Sequence, residues 1–330
     1  MRKETVLIIG CGSIGERHLR AFLKNDQVNL IAAETSASLR QRIAETHQVE
    51  TTDDYQKVLG RDEVVGALVA TPAPSHVAIA RTLMDAGRHV LIEKPLSLEL
   101  AGLDELRALR DSRRVVAAIA YVYHFIPAVA AAREFIKTEA FGPVLHATIT
   151  GGQHFPTYRP AYREIYYARR ETGGGAIQDA LTHFVNAVDW ILGPAADVMA
   201  NAGHQCLEGV KVEDTVNVIT RHSSALVAYQ LNQFQSPNES VFDFHSAGGT
   251  VRIEIQNQRW GTFAHGSEAW TWHEATVRDR DFVFEKQAEA FVAAMAREAT
   301  PLATLEEGIR AVAFNQATFQ SIEKGQRISI

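Results

Sequence analysis

Two cysteines, Cys11 and Cys206, are all that 330 residues carry. That scarcity excludes a disulfide framework and a cysteine-built metal site. Basic charge is not in excess. With 33 Lys and Arg against 39 Asp and Glu, the net charge is −6, and nothing draws the chain to nucleic acid or to an anionic membrane surface. There is no plain apolar run of bilayer length. The longest uncharged apolar stretch, Val115 to Ala132, contains His124 and Pro127, and β-branched residues and tyrosines fill its first half. A strand, a loop and the start of a helix account for it better than a membrane span. The apolar run near the N-terminus ends after four residues at a glycine turn, which does not match a signal peptide. The expected compartment is therefore the cytoplasm. No repeat of fixed period and no low-complexity segment breaks the chain.

What is present begins at once. Val6-Leu7-Ile8-Ile9 runs into Gly10-Cys11-Gly12-Ser13-Ile14-Gly15, and a helical pattern follows to Lys24. In a strand–turn–helix setting each glycine serves a separate purpose. Gly10 permits the turn, Gly12 the close approach of backbone to a pyrophosphate, and Gly15 the packing of helix on strand. The N–H groups that open the helix, from Ser13 and Ile14 onward, offer partial positive charge to phosphates. Cys11 reads as a small filler in that loop. A second apolar strand, Val28 to Ala33, ends at Glu34, 19 residues after Gly15. An acid there can bond both hydroxyls of an adenosine ribose and would repel a 2′-phosphate, so NAD is expected over NADP.

Strand and helix then alternate. Helix 36–47, a helical turn at 53–59, strand 64–70, helix 77–86, strand 89–92, helix 98–110 and strand 115–121 follow one another. This alternation predicts a doubly wound parallel sheet. Thr71-Pro72-Ala73-Pro74-Ser75-His76 forms an extended loop at the carboxyl end of one strand, where such sheets place ligands, and Glu93-Lys94-Pro95 closes another. After Tyr123 the pattern changes. Helix 128–137 and alternating strands at 144–150, 216–220, 226–234, 240–246 and 250–255 predict an open, largely antiparallel sheet in an α+β domain, with helices at 174–192, 285–297 and 305–324. We therefore expect an α/β chain of two domains, residues 1–122 for the dinucleotide and 123–330 for substrate and oligomerisation. Apolar residues of both parities on 226–234 imply that one face alone cannot bury them, and a homodimer or homotetramer is expected.

Gly10-x-Gly12-x-x-Gly15, Thr71-Pro72 with His76, Glu93-Lys94-Pro95, and Gly173-Gly174-Gly175-x-x-x-Asp179-x-x-x-His183 occur in this order, and Glu306-Glu307-Gly308-Ile309-Arg310 follows late in the sequence. Together they resemble the Gfo/Idh/MocA family of glucose–fructose oxidoreductases and inositol dehydrogenases. The resemblance implies a Rossmann-type domain, a nicotinamide cofactor touched by Thr71, Pro72, His76, Glu93 and Lys94, a sugar-like or cyclitol-like substrate, and an open sheet used for oligomerisation. It also implies that Lys94 bonds the reacting oxygen. An ammonium there can stabilise oxyanion character as hydride leaves or arrives. Asp179 and His183, four apart on a helix, share a face. A hydroxyl that loses hydride must also lose its proton, and imidazole is suited to take it, with Asp179 orienting substrate or ring. No third ligand completes a metal site with them, so no metal is expected.

His124 stands where the family often has arginine or asparagine before Phe125-x-Pro127; it is either a substrate contact or a packing residue of its loop. The segment 154–170 is rich in tyrosine and arginine. Tyr158, Arg159 and Arg163 are its candidate substrate contacts, through guanidinium forks and aromatic faces, and the alternative is a solvated loop or a subunit contact. The leading expectation is an NAD-dependent sugar or cyclitol dehydrogenase or reductase. Two others stay open: an NAD-dependent glycosidase in which the hydride is returned, and a sugar-responsive regulator on the same fold.

Overall fold

The computed structural model describes residues 3–301 and 303–330. They group into two compact units, 1–122 with 279–309, and 123–278 with 310–330.

In the first unit the apolar runs become six parallel strands: β1 (Glu4–Ile9), β2 (Val28–Ala33), β3 (Glu50–Thr52), β4 (Val64–Val69), β5 (His89–Ile92) and β6 (Ala117–Ile119). Their order is β3-β2-β1-β4-β5-β6. The order reverses between β1 and β4, so the turns leaving those two strands flank the switch point, where open sheets of this kind bind ligands. Near-continuous burial of β1, β2 and β4 is what two covered faces require. The helices are α1 (Ser13–Leu23), α2 (Ala37–His47), a short α3 (Gln56–Leu59), α4 (His76–Asp85) and α5 (Leu103–Arg113). Helix α5 starts five residues later than the expected 98, because Gly102 sits at φ +78 and breaks the run before it. Strand β6 is likewise shorter than the expected 115–121.

The second unit holds α6 (Pro127–Lys137), α7 (Phe155–Tyr158) and α8 (Thr182–Leu192). Its sheet has nine strands: β7 (Val144–Gly152), β8 (Ala195–Gly203), β9 (Thr215–His222), β10 (Ala225–Asn232), β11 (Glu239–Ser246), β12 (Gly249–Glu254), β13 (Arg259–Ala264), β14 (Thr271–Glu274) and β15 (Ile328–Ser329), in the order β14-β13-β12-β11-β7-β10-β9-β8-β15. All neighbours are antiparallel except β7 and β10, which run parallel. The expected helix over 174–192 divides into a π-helical turn at Ile177–Leu181 followed by α8. The inner face buries Ile149, Val218, Tyr229 and Phe242 against Leu181, Val185 and Val188.

Two last helices are α9 (Phe282–Met295) and α10 (Leu305–Lys324). The segment 279–309, expected with the second half of the chain, belongs to the first unit. Phe284, Phe291 and Val292 of α9 join the core formed by Val6, Leu19 and Phe22. Residue Thr304 bridges Ala118 beside β6, and Glu306 takes bonds from Arg107 and Arg110 of α5.

Candidate functional site

The glycine turn is shaped by contact rather than by flexibility. Gly10 lies at φ +86, a region that L side chains rarely adopt, and a Cβ on it would stand 2.8 Å from the Ala70 carbonyl oxygen. A Cβ on Gly15 would fall 1.9 Å from the carbonyl oxygen of Gly10. Around Gly12 there is open space, with nothing within 4 Å of such an atom. Helix α1 begins just beyond it, the first intrahelical bond running from Glu16 N to Gly12 O at 2.8 Å. The N–H groups of Ser13, Ile14 and Gly15 precede that bond and point out of the helix start.

Glu34 turns its carboxylate back onto this loop. Oε2 accepts from Cys11 N at 2.8 Å and Oε1 from Ser36 N at 2.9 Å. A carboxylate has about four lone-pair sites, so capacity remains for a ribose. Arg40 is committed to the carbonyl oxygens of Glu34 and Thr35, at 2.7 and 3.2 Å. Burial, then the Glu34 charge, pushes the Cys11 thiol up to about 12, which suits an inert filler. An open cradle of N–H groups with a carboxylate at its rim fits a dinucleotide.

Behind β4, the Thr71 hydroxyl meets Ser75 Oγ at 2.7 Å, and Ser75 Oγ donates to Pro72 O at 2.8 Å, fixing the loop. His76, expected among the cofactor contacts, is buried instead. Its Nε2 lies 2.7 Å from Thr71 O and its Nδ1 3.0 Å from Pro95 O. The ring joins the two loops, with both nitrogens facing the chain's own carbonyls. Burial pushes its pKa down against the pull of those oxygens. Glu93 is buried as well, and its Oε2 accepts from Lys94 N at 2.9 Å. Burial alone would raise its carboxyl; a hydrogen bond from His18, with the charge of Lys94, outweighs this and holds it below the usual range. Lys94 is half-buried at the carboxyl end of β5.

In the second unit Asp179 lies inside the π-helical turn and is 4 % exposed. Such turns recur at functional sites because they re-aim one side chain within a helix. Glu213 secures the turn's start. Its Oε1 accepts from Ile177 N at 3.2 Å, its backbone oxygen accepts from Ala176 N at 2.8 Å, and burial pushes its carboxyl up. His183 follows on α8, half-buried, its ring stacked 5.3 Å from Tyr123. Burial raises the Tyr123 phenol to about 12, so that ring is a neutral platform at ordinary pH.

Tyr166 donates to Asp179 Oδ1 at 2.6 Å. This bond was not readable from the sequence; the segment's wealth of tyrosines was the only signal. Arg159 lies within the field of Asp179, whose charge raises the guanidinium pKa further. Tyr158 is 50 % exposed. Arg163 turns its Nε onto its own loop, 2.8 Å from Glu208 O and 3.1 Å from the Tyr162 hydroxyl. A small core of Phe155, Tyr162, Tyr167, Leu207 and Val210 holds the whole segment. His124, expected as a substrate contact, is 3 % exposed and stacks on Trp190 at 4.3 Å. That geometry answers to packing. Among the described residues no group of three His, Cys, Asp or Glu could hold a metal ion, and no helix is long and apolar enough to cross a membrane.

Comparison with known proteins extends this picture. Residues 5–121 match a family model described as an oxidoreductase family with an NAD-binding Rossmann fold, and residues 129–259 match the Gfo/Idh/MocA C-terminal domain. Inositol 2-dehydrogenase of Rhizobium meliloti is 23% identical over 335 residues, covering 98% of this chain and 98% of that protein. Levoglucosan dehydrogenase of Pseudarthrobacter phenanthrenivorans is 26% identical over 213 residues, 61% of this chain and 54% of that protein. A solved structure of levoglucosan dehydrogenase with NADH and levoglucosan aligns at a TM-score of 0.91 and 18% identity, covering 100% of both chains.

Proposed function

We propose, on the premise that this chain belongs to the Gfo/Idh/MocA family of oxidoreductases, that it transfers hydride between NAD(H) and a hydroxyl or keto carbon of a sugar, a sugar derivative or a cyclitol. The observation that carries this reading is the match of both halves of the chain to that family, the NAD-binding half and the C-terminal half alike. The relatives named for inositol and levoglucosan support the substrate class. We assign residues 1–122 to the cofactor and 123–330 to substrate and assembly, with 279–309 lending its helix to the former.

NAD, when bound, supplies the hydride acceptor. In the oxidative direction His183 takes the hydroxyl proton as the carbon gives up hydride, and Lys94 donates a hydrogen bond to the oxygen as it becomes a carbonyl. Asp179, oriented by Tyr166, holds a neighbouring hydroxyl or the imidazole in place. Thr71, Pro72 and Glu93 shape the cofactor side, and His76 acts through the loops that it joins. Tyr158 and Arg159 face the substrate side. A panel of sugars, inositols and their keto forms, followed by NADH absorbance, tests the reading. Net NADH formation or consumption on at least one compound is expected, and a response to none, with the hydride returned or never moved, would overturn it.

Glu34 should set cofactor choice. NADP would bring a dianionic phosphate against its carboxylate and lose the ribose bonds, a penalty of about 2 kcal/mol or more. Wild type should therefore favour NAD by roughly thirtyfold, and Glu34→Ser should narrow the gap. Equal use of both cofactors by wild type would rule the assignment out.

We also propose a homodimer or homotetramer built on the outer face of the nine-stranded sheet. Leu226, Ile219 and Met199 are 50 %, 50 % and 42 % exposed on three adjoining strands. Register places Ile219 opposite both Ala228 and Met199, so they share one face. A contiguous apolar strip of this kind is unusual for a monomer. Light scattering should give a multiple of 36.4 kDa, and a mass near 36.4 kDa at micromolar concentration would refute it. The cytoplasm, where free thiols such as Cys11 and Cys206 persist, is the compartment we assign.

A further inference from the structure

We propose that His18 is a positioning residue for Lys94, acting through Glu93. This rests on the role given to Lys94 above. His18 lies on α1, 75 residues from Glu93, and is fully buried. Its Nε2 is 2.7 Å from Glu93 Oε1. Among the described residues its Nδ1 has no hydrogen-bond partner, so the polar capacity of this ring goes to Glu93. Whatever its charge, Nε2 must carry a hydrogen to bond a carboxylate.

A residue needed only to fill this space would be apolar. The ring packs edge-on to Phe284 of α9 at 5.1 Å, in a core of Leu19, Phe22 and Phe284 where leucine would be at home. Burying an imidazole with one nitrogen unpartnered costs stability relative to such a leucine. What the histidine gives in return is a fixed Glu93. One carboxylate oxygen is held by His18 and the other accepts from Lys94 N. The pair of bonds sets the direction of the peptide that carries Lys94. It also keeps Glu93 an anion within the field of the Lys94 charge, against the upward push of burial. The charged and titratable groups that face Glu93 are His18 from α1, Lys94 from its own loop, and His76 from α4. Of these, His18 and the Lys94 backbone bond it directly. The helix that begins at the phosphate cradle thus holds the lysine of the reacting centre in register.

The sign of the pH effect follows. In wild type the folded-state pKa of Glu93 is lowered, so its contribution to stability is present above the ordinary carboxylate range and is lost as pH falls. With leucine at 18, burial dominates and the folded pKa rises above the unfolded one. The contribution then reverses: it is present at low pH and lost as pH rises.

The test compares wild type, His18→Leu and His18→Gln. Glutamine carries an N–H at about the reach of Nε2. Three measurements are made: turnover against pH, NADH affinity by fluorescence, and thermal midpoint at several values between about pH 5 and 8. We expect His18→Leu to lose kcat by about ten- to hundredfold, the scale for removing a group that orients a contact residue. Its acid limb should move to higher pH, its NADH affinity should change less than its kcat, and its midpoint should fall further below wild type as pH rises. His18→Gln should recover most of kcat and the wild-type pH profile. Wild-type turnover and profile in His18→Leu would overturn the proposal, and so would a midpoint offset that is constant across pH. Should wild type itself turn over none of the sugar panel, the oxidoreductase reading fails. The midpoint comparison would still decide whether His18 holds Glu93 as an anion.

Discussion

His183→Asn is expected to turn over about 10²–10⁴-fold more slowly than wild type while binding NADH almost as well. Asparagine keeps a similar size and one hydrogen bond but cannot accept a proton at neutral pH. The loss corresponds to roughly 3–5 kcal/mol of barrier. The ring it replaces is stacked on Tyr123 and sits on α8, in the unit that does not carry the glycine turn. Removing it therefore leaves the cofactor cradle intact. Lys94→Met should lose a comparable factor, because the developing oxyanion forfeits its ammonium. Asp179→Asn should cost the same or less, since Tyr166 can still bond the amide oxygen at that position. The three losses should not add, because all bear on one transition state. The measurements are single-turnover rates on the best substrate of the panel, with NADH fluorescence titrations as the control. Activity in His183→Asn within about tenfold of wild type would mean that the proton leaves by another route. Asp179 and His183 would then be architecture.

Part of the fold and of the candidate site could be read before folding, and the reason is local. The glycine turn and Glu34 are spaced by one strand–helix–strand unit, and that spacing brings Glu34 Oε2 onto Cys11 N; the π-helical turn that holds Asp179 ahead of α8 has no such local signal. Strands β1, β2, β4 and β5 announce themselves as short buried runs. Strand β3 does not, since Glu50-Thr51-Thr52 is polar and finds its place only by pairing with β2. The same holds for the two-residue β15. Contacts across long separations stay hidden. His18 meets Glu93 across 75 residues, and Tyr166 meets Asp179 across 13 with a loop core between. His76 and Arg163 show contacts that the motifs did not announce. Both are polar residues in suggestive motifs, yet the two ring nitrogens of His76 and the Nε of Arg163 face carbonyl oxygens of their own surroundings. The return of 279–309 to the first unit is likewise a matter of which core has room for Phe284 and Phe291, and no local pattern encodes that.

Glycine substitutions in the cofactor turn should separate folding from binding. Gly12→Ala meets no atom within 4 Å, and its φ of −62° suits alanine, so the fold should accept it with little change in thermal midpoint. The added methyl would stand in the open space that the cradle offers to a pyrophosphate. NADH affinity should fall by tenfold or more, about 1.4 kcal/mol at the least. Gly15→Ala is a different perturbation. Its methyl would lie 1.9 Å from the Gly10 carbonyl oxygen and 2.9 Å from the carbonyl carbon, both backbone atoms of the turn itself. Ala70 Cβ, 3.3 Å away, closes the other side. No side-chain rotation relieves this, so α1 must move off β1. Overpacking of this kind costs about 1–3 kcal/mol, occasionally more. In a unit of about 150 residues, such as the one that carries the turn, each kcal/mol moves the midpoint by roughly 2–4 °C, so a fall of several degrees is expected. Gly15→Ala should therefore lose stability and NADH binding together, while Gly12→Ala loses binding alone. Calorimetry and fluorescence titration on the two variants decide it. Unchanged affinity in Gly12→Ala would place the pyrophosphate elsewhere. An unchanged midpoint in Gly15→Ala would mean that the helix does not rest on the turn as closely as these distances require.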